Sequence, residues 1–252
     1  MEYDYDALLE SIVLIGRTML ENGAEVSRVE DSIGRMCKSY GAQSVDVFTI
    51  TSQIIITAKF DDKSYTQTKR VLSYETNFHQ LDELNALSRF ICNHHPSSKE
   101  VEKRRTRIMN EPPYPTLYTL IGSIMGAGAF SIFFGGKFRD ALCAMLVSLI
   151  IVFMQHFLKK KMNYIVFYVF CSLCSGIASI LLCKIGLGLN MDKIMIGEVM
   201  LLIPGIAMTN SIRDMLLGDT MSGILRLCEA LLMAISIALG FGISIILLGG
   251  IL

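Results

Sequence analysis

The 252-residue sequence has no charge imbalance: 23 lysines and arginines match 23 aspartates and glutamates, so nothing in it argues for nucleic acid as a partner. Charged residues make up only 18% of the chain against 52% hydrophobic ones, too few for an ordinary soluble domain and too many for a chain buried throughout. Residues 1–110 lack a Gly-rich phosphate loop, a zinc-ligand spacing and a G-x-S-x-G, the usual signatures of nucleotide, metal and serine-hydrolase chemistry. The start, Met1-Glu2-Tyr3-Asp4-Tyr5-Asp6, is acidic and has neither the basic start nor the apolar core of a secretory signal, so the N-terminal domain is expected to stay where it is made. Seven cysteines are scattered through both halves; Cys171 and Cys174 form a C-x-x-C inside an apolar run, without a second pair or nearby histidines, and read as small buried helix residues. His79, His94, His95 and His156 have no metal spacing. No catalytic residue, metal or cofactor is expected.

What the chain has is two unlike halves. Most acidic residues lie in the first 111 positions, where Leu8, Ile12, Ile15 and Met19 fall at helical spacing before an Asn22-Gly23 stop. Val26, Val29, Ile33, Met36 and Tyr40 give a second stripe ending at Gly41. Val45 to Ile50, Gln53 to Phe60 and Tyr65 to Leu72 are rich in β-branched and aromatic residues and predict a meander turning at Asp61-Asp62-Lys63-Ser64. Asn77 with Gln80 resembles a capping box opening a helix that ends near His94-His95-Pro96. Ser97 to Glu100 then cap a basic helix carrying Lys103, Arg104, Arg105 and Arg107, stopped by Pro112-Pro113-Tyr114-Pro115.

The second half holds five apolar runs near the roughly 20 residues that cross a bilayer, at Thr116 to Phe134, Asp140 to Leu158, Tyr164 to Leu182, Ile194 to Asn210 and Leu227 to Gly249. The expected fold is an α-helical integral membrane protein with five transmembrane helices, preceded by a small α+β cytoplasmic domain. Its divisions are a cytoplasmic domain over 1–95, a basic juxtamembrane helix and Pro-rich linker over 96–115, and a transmembrane domain over 116–252. Basic residues of the collar, Lys159-Lys160-Lys161, Arg213 and Arg226 then fall on one side, against Lys137, Arg139, Lys184 and Lys193 on the other, which favours a cytoplasmic N-terminus and an outer C-terminus. Small residues at packing intervals (Gly122, Gly126 and Gly128; Ser172, Ser175, Gly176 and Ser179; Ser236, Gly240 and Gly242) predict close helix contacts, and five spans make a thin enclosure, so a homo-oligomer or a second membrane subunit is expected.

Ile194 to Glu229 carries the polar residues that are expensive near hydrocarbon: Glu198, the break at Pro204-Gly205, then Thr209, Asn210, Arg213, Asp214, Arg226 and Glu229. On the second helix, Glu25, Arg28, Glu30, Asp31 and Arg35 fit either a solvated face with i, i+3 and i, i+4 ion pairs or a charged contact with the membrane half or a partner.

Gly23-Ala24-Glu25-Val26-Ser27-Arg28-Val29-Glu30-Asp31, with Asp46-Val47-Phe48, resembles the N-terminal signature of the threonine/serine exporter family. Pro204-Gly205, Thr209-Asn210, Arg213-Asp214, Gly218-Asp219, Ser222-Gly223 and Glu229-Ala230 resemble that family's fourth-to-fifth span segment. The chain is similar to the family's short form, which works beside a separate smaller membrane protein in a two-component exporter associated with succinate. The resemblance implies a multi-pass protein of the cell membrane that exports a small carboxylate metabolite or amino acid, driven by protons.

Under that reading Arg213 is the candidate for the substrate carboxylate, because its planar fork binds one bidentately, with Asn210 and Thr209 beside it and Asp214 holding Arg213 in the empty site. Glu198 and Glu229 are the candidate proton carriers, and Pro204-Gly205 the hinge. The plainer alternatives are an interfacial pair in a short loop for Arg213 and Asp214, an Arg226–Glu229 pair, a Glu198 that snorkels outward and a simple kink. Two rival functions stand beside export: a membrane-anchored enzyme, and an accessory subunit whose partner builds the pathway.

Overall fold

The computed structural model describes residues 4–72, 76–111, 115–159 and 161–248. Met1 to Tyr3 of the acidic start, Pro112, Pro113 and Tyr114 of the linker, Lys160 of the lysine run and Gly249 of the fifth expected span lie outside the described residues. Contacts divide the chain into two compact units, Met1–Glu111 with Ile206–Leu227, and Pro112–Gly205 with Cys228–Leu252.

The first unit opens with α1 (Tyr5–Glu21) and α2 (Val26–Ser39). Asp4 caps α1 by accepting from the Ala7 amide. The helix stops where Gly23 takes φ +93°, letting the Ala24 amide reach the Met19 carbonyl at 3.0 Å, a turn that a side chain at position 23 would strain. The sheet follows in the order β1 (Ser44–Ile50), β2 (Gln53–Phe60), β3 (Lys63–Arg70), antiparallel throughout. Two-residue turns join the strands; Asp61 and Asp62, both at positive φ, supply the second, which is the backbone that suits right-twisted hairpins. Alternation along β2 turns Ile54, Ile56, Ala58 and Phe60 inward, onto a core built from Leu8, Ile12, Ile15, Ile33 and Met36.

Next come α3 (Phe78–His94) and α4 (Ser98–Met109). Asn77 caps α3 as expected, but the side chain of Gln80 donates to the Ile108 carbonyl on α4 instead of closing the box. Two later segments complete this unit: α9 (Gly205–Leu216) from Ile206 onward, and the first residues of α10 (Thr220–Leu248). Contacts gather residues 206–227 with the N-terminal elements.

The second unit contains α5 (Thr116–Phe133), α6 (Phe138–Phe157), α7 (Tyr164–Lys184), α8 (Met191–Leu202) and the remainder of α10. Among the described residues four helices, α5, α6, α7 and α10, are long and apolar enough to cross a membrane; α8 and α9 pass that test only together, as a bent pair, giving four or five spans. The fourth expected span is thus divided. Ile203 is extended (φ −65°, ψ 134°), as a residue before proline prefers, and Pro204 has no amide to continue the ladder.

Small residues set the helix approaches here. A Cβ on Gly197 would stand 2.5 Å from the Ala127 carbonyl oxygen, so α8 rests directly on the backbone of α5. Gly176 and Gly240 similarly seat α7 against α10, beside Ser244 and Ser172, whereas Gly122 and Gly242 face open space.

Asp140, a buried carboxylate that the sequence reading passed over, ties one end of this unit. It accepts from the Lys137 amide (3.0 Å), the Leu189 and Asn190 amides (2.6 and 2.9 Å) and the Asn190 side chain (3.0 Å), joining the start of α6 to the loop before α8. Asp140→Ala leaves those donors unmatched and is expected to lower stability by at least about 2 kcal/mol, read as a drop in the melting transition of the purified protein in detergent.

Candidate functional site

The polar groups of the first unit converge on the turn between α1 and α2, Gly23-Ala24-Glu25-Val26. Glu25 is the N-cap residue of α2, yet its side chain makes no capping hydrogen bond. The cap comes instead from α9, where Asp214 Oδ1 accepts from the Val26 amide at 3.4 Å. This places a carboxylate at the positive end of α2's dipole. Asp214 is fully buried, and its Oδ2 lies 3.1 Å from Nη1 of Arg226, itself 8% exposed. Neither of these two atoms has a hydrogen-bond partner among the described residues, so each depends on the other's charge. Arg226 Nη2 also donates to the Ala24 carbonyl at 3.4 Å, and Asn210 Nδ2 to the Gly23 carbonyl at 3.2 Å.

The hairpin that presents these residues is held tightly. Gly218 turns the chain at φ +101°, and the Asp219 amide closes on the Asp214 carbonyl. A Cβ on Gly223 would come within 2.6 Å of the Ser211 carbonyl oxygen, so α9 and α10 meet backbone to backbone. Ser222 Oγ donates to the Thr49 carbonyl at 3.4 Å, linking α10 to the end of β1.

Arg213 points the other way. Neighbours in a helix are turned about 100° apart, so with Asp214 inward Arg213 faces out, 61% exposed, and its Nη1 meets Glu25 Oε1 at 2.7 Å. Asp214 therefore holds Arg226, where the sequence suggested Arg213, and both Arg213 and Asp214 are helical rather than in a loop. Glu25 pairs with Arg213 over a separation of 188 residues instead of the local Arg28, which is exposed. Asp31 and Arg35 form the expected surface pair at 2.9 Å. Thr209 is exposed and Asn210 half-buried. Arg226 was the residue missed: its spacing to Glu229 suggested a local pair, and the one hint of its role was an arginine at the edge of an apolar run.

Glu30, one turn further along α2, is half-buried beside Thr49 and Asp219. Burial pushes its carboxyl above the ordinary range, the negative charge of Asp219 adds to this, and the polar groups of Thr49 beside it oppose it; burial also raises Asp219. The folded protein therefore keeps these protons at a pH where the unfolded chain has lost them. Stability falls as pH rises from the unfolded to the folded value, and the cost is fully present above the folded value.

In the second unit Glu198 on α8 is fully buried and does not reach outward. Ser179 Oγ lies 2.7 Å from its Oε1 and 2.9 Å from the Ser175 carbonyl, while Oε2 has no hydrogen-bond partner among the described residues. A hydroxyl has one proton, so it donates to only one of these acceptors at a time. Glu229 is exposed on α10. A cavity of about 220 Å³ between α8 and α10, lined by Met195, Ile196, Val199, Ile203, Ala234, Ile237, Ala238 and Phe241, is apolar and has no group to hold a carboxylate.

A mostly helical chain with four or five candidate spans and a small three-stranded sheet is a multi-pass membrane protein. The sequence model of the family described as "Putative threonine/serine exporter" matches residues 10–248, and the chain belongs to that family of transport proteins. It is 25% identical over 240 residues to the protein of Corynebacterium glutamicum named "Threonine/serine exporter", an alignment covering 92% of this chain and 49% of that one. The chain thus spans about half the length of that relative. It is 22% identical over 246 residues to the Escherichia coli K12 protein named "Probable succinate transporter subunit YjjP", covering 96% of this chain and 95% of that one, and 22% identical over 224 residues to the Klebsiella aerogenes protein of the same name, covering 88% and 86%. No solved structure matches.

Three outcomes follow for denaturation of the purified protein. Arg226→Ala leaves Asp214 buried and unpaired and is expected to cost roughly 3–5 kcal/mol, whereas Arg213→Ala removes a largely exposed guanidinium and costs less. Glu30→Gln is expected to stabilise the protein at neutral pH and to flatten its stability profile just above the ordinary carboxylate range.

Proposed function

We propose that this chain is a membrane subunit of a secondary exporter that moves a small carboxylate metabolite out of the cytoplasm, an amino acid such as threonine or serine or a dicarboxylate such as succinate. The observation that carries the reading is the Arg213–Glu25 contact: an exposed guanidinium beside Asn210 already holds a carboxylate, at 2.7 Å. The guanidinium of this pair is open to water, which weakens its hold on Glu25, so a substrate carboxylate can compete for it. Arg213 supplies the fork, Thr209 and Asn210 lie on the same helix within a turn of it, and Asp214 stabilises the turn they face.

The reading takes α8 and α9 as one broken span, giving five, with the hinge at Pro204-Gly205 and the N-terminal domain cytoplasmic. The bias of basic residues toward the collar side supports that orientation. Glu198, buried with a single hydroxyl partner, is the proton carrier, with Glu229 as the second candidate. Relatives named as transporter subunits support a partner, which we take to be a smaller membrane protein, with a homo-oligomer as the other form of assembly.

Efflux of radiolabelled threonine, serine and succinate from vesicles, with and without a candidate partner, tests this. Arg213→Ala is expected to slow export at least tenfold and Glu198→Gln to abolish its dependence on a proton gradient. Wild-type export by both variants at normal expression would remove the site assignment.

A further inference from the structure

The carboxylate in contact with Arg213 is itself a chemical filter. Glu25 is 16% exposed and is not engaged in capping α2, since Asp214 performs that task. Other acids lie close by: Asp214 has Glu25 and Asp219 as electrostatic neighbours, and Asp219 in turn faces Glu30. The arginines on these elements are Arg226, consumed by Asp214, Arg213, paired with Glu25, and Arg28, exposed on α2. A ligand that takes Arg213 with its carboxylate therefore sets the Glu25 carboxylate free beside it.

We infer that Glu25 is a specificity-determining residue, which accepts the ammonium group of a ligand whose carboxylate has taken its place on Arg213. This rests on the reading of Arg213 as the substrate's anion partner. A zwitterion inserted into the ion pair leaves both protein charges matched: its carboxylate meets the guanidinium and its ammonium meets Glu25. A dicarboxylate matches only Arg213 and brings its second negative charge to the freed Glu25 and the acids behind it, where like charges at short range repel. Glu25 thus ranks amino acids above dicarboxylates of similar size.

Competition against radiolabelled threonine on the purified full chain tests the idea. In the wild type, threonine is expected to compete at least tenfold better than 3-hydroxybutyrate, which is threonine without its amino group, and better than succinate. In Glu25→Gln that advantage should shrink below threefold, while Glu25→Asp keeps it. The wild-type comparison needs no variant to fold. Equal competition by 3-hydroxybutyrate, tighter binding of succinate than of threonine, or an undiminished advantage in Glu25→Gln would each overturn the role of Glu25. Arg213→Ala separates the underlying reading: loss of threonine binding supports it, and unchanged binding overturns it together with the inference.

Discussion

Asp214 and Arg226 meet at 3.1 Å, almost wholly out of water, and the rest of the candidate site depends on that meeting. Two ionised groups in such a place are expensive to desolvate, and an uncompensated one is worse. Here the remaining valences are used well: Asp214 also caps α2 through the Val26 amide, and Arg226 reaches the Ala24 carbonyl. The pair thereby fastens the α1–α2 turn to the α9–α10 hairpin. With the cap supplied by Asp214, Glu25 is left free to meet Arg213, and the pair most open to exchange sits beside the one least open to it.

The contrast between the two pairs follows from their surroundings rather than from their chemistry. Both are arginine–carboxylate contacts, yet Arg226 is 8% exposed and Arg213 61%. Water screens the outer pair and makes it replaceable; its absence makes the inner pair structural. In the proposed site the outer pair is the one that gives way to a ligand, and the inner pair keeps the neighbouring backbone in position while it does.

Much of the fold was legible locally. The bounds of β2, the Asn22-Gly23 stop, the Asn77 cap and the break at Pro204 all follow from residue types within a few positions of one another. The candidate site was legible only as a set of polar residues, because its pairings are not local: Val26 and Asp214 are 188 residues apart, and a spacing rule offers Arg226 only the neighbours on its own helix. Likewise Asp140 looked like the start of a span, since all its partners but the Lys137 amide lie in a loop about fifty residues on. Glu198 was found because a carboxylate in an apolar run stands out; that it is buried against Ser179 depends on the packing of α7 and α8.

Hydrogen exchange on the intact protein in detergent is the most direct measurement of the central contact. If the buried pair fastens the α1–α2 turn to the hairpin, the amides of residues 26–29 and 210–217 open with one shared free energy and respond alike to denaturant. Exchange of residues 210–217 at a rate and denaturant response unrelated to those of residues 26–29 would contradict it.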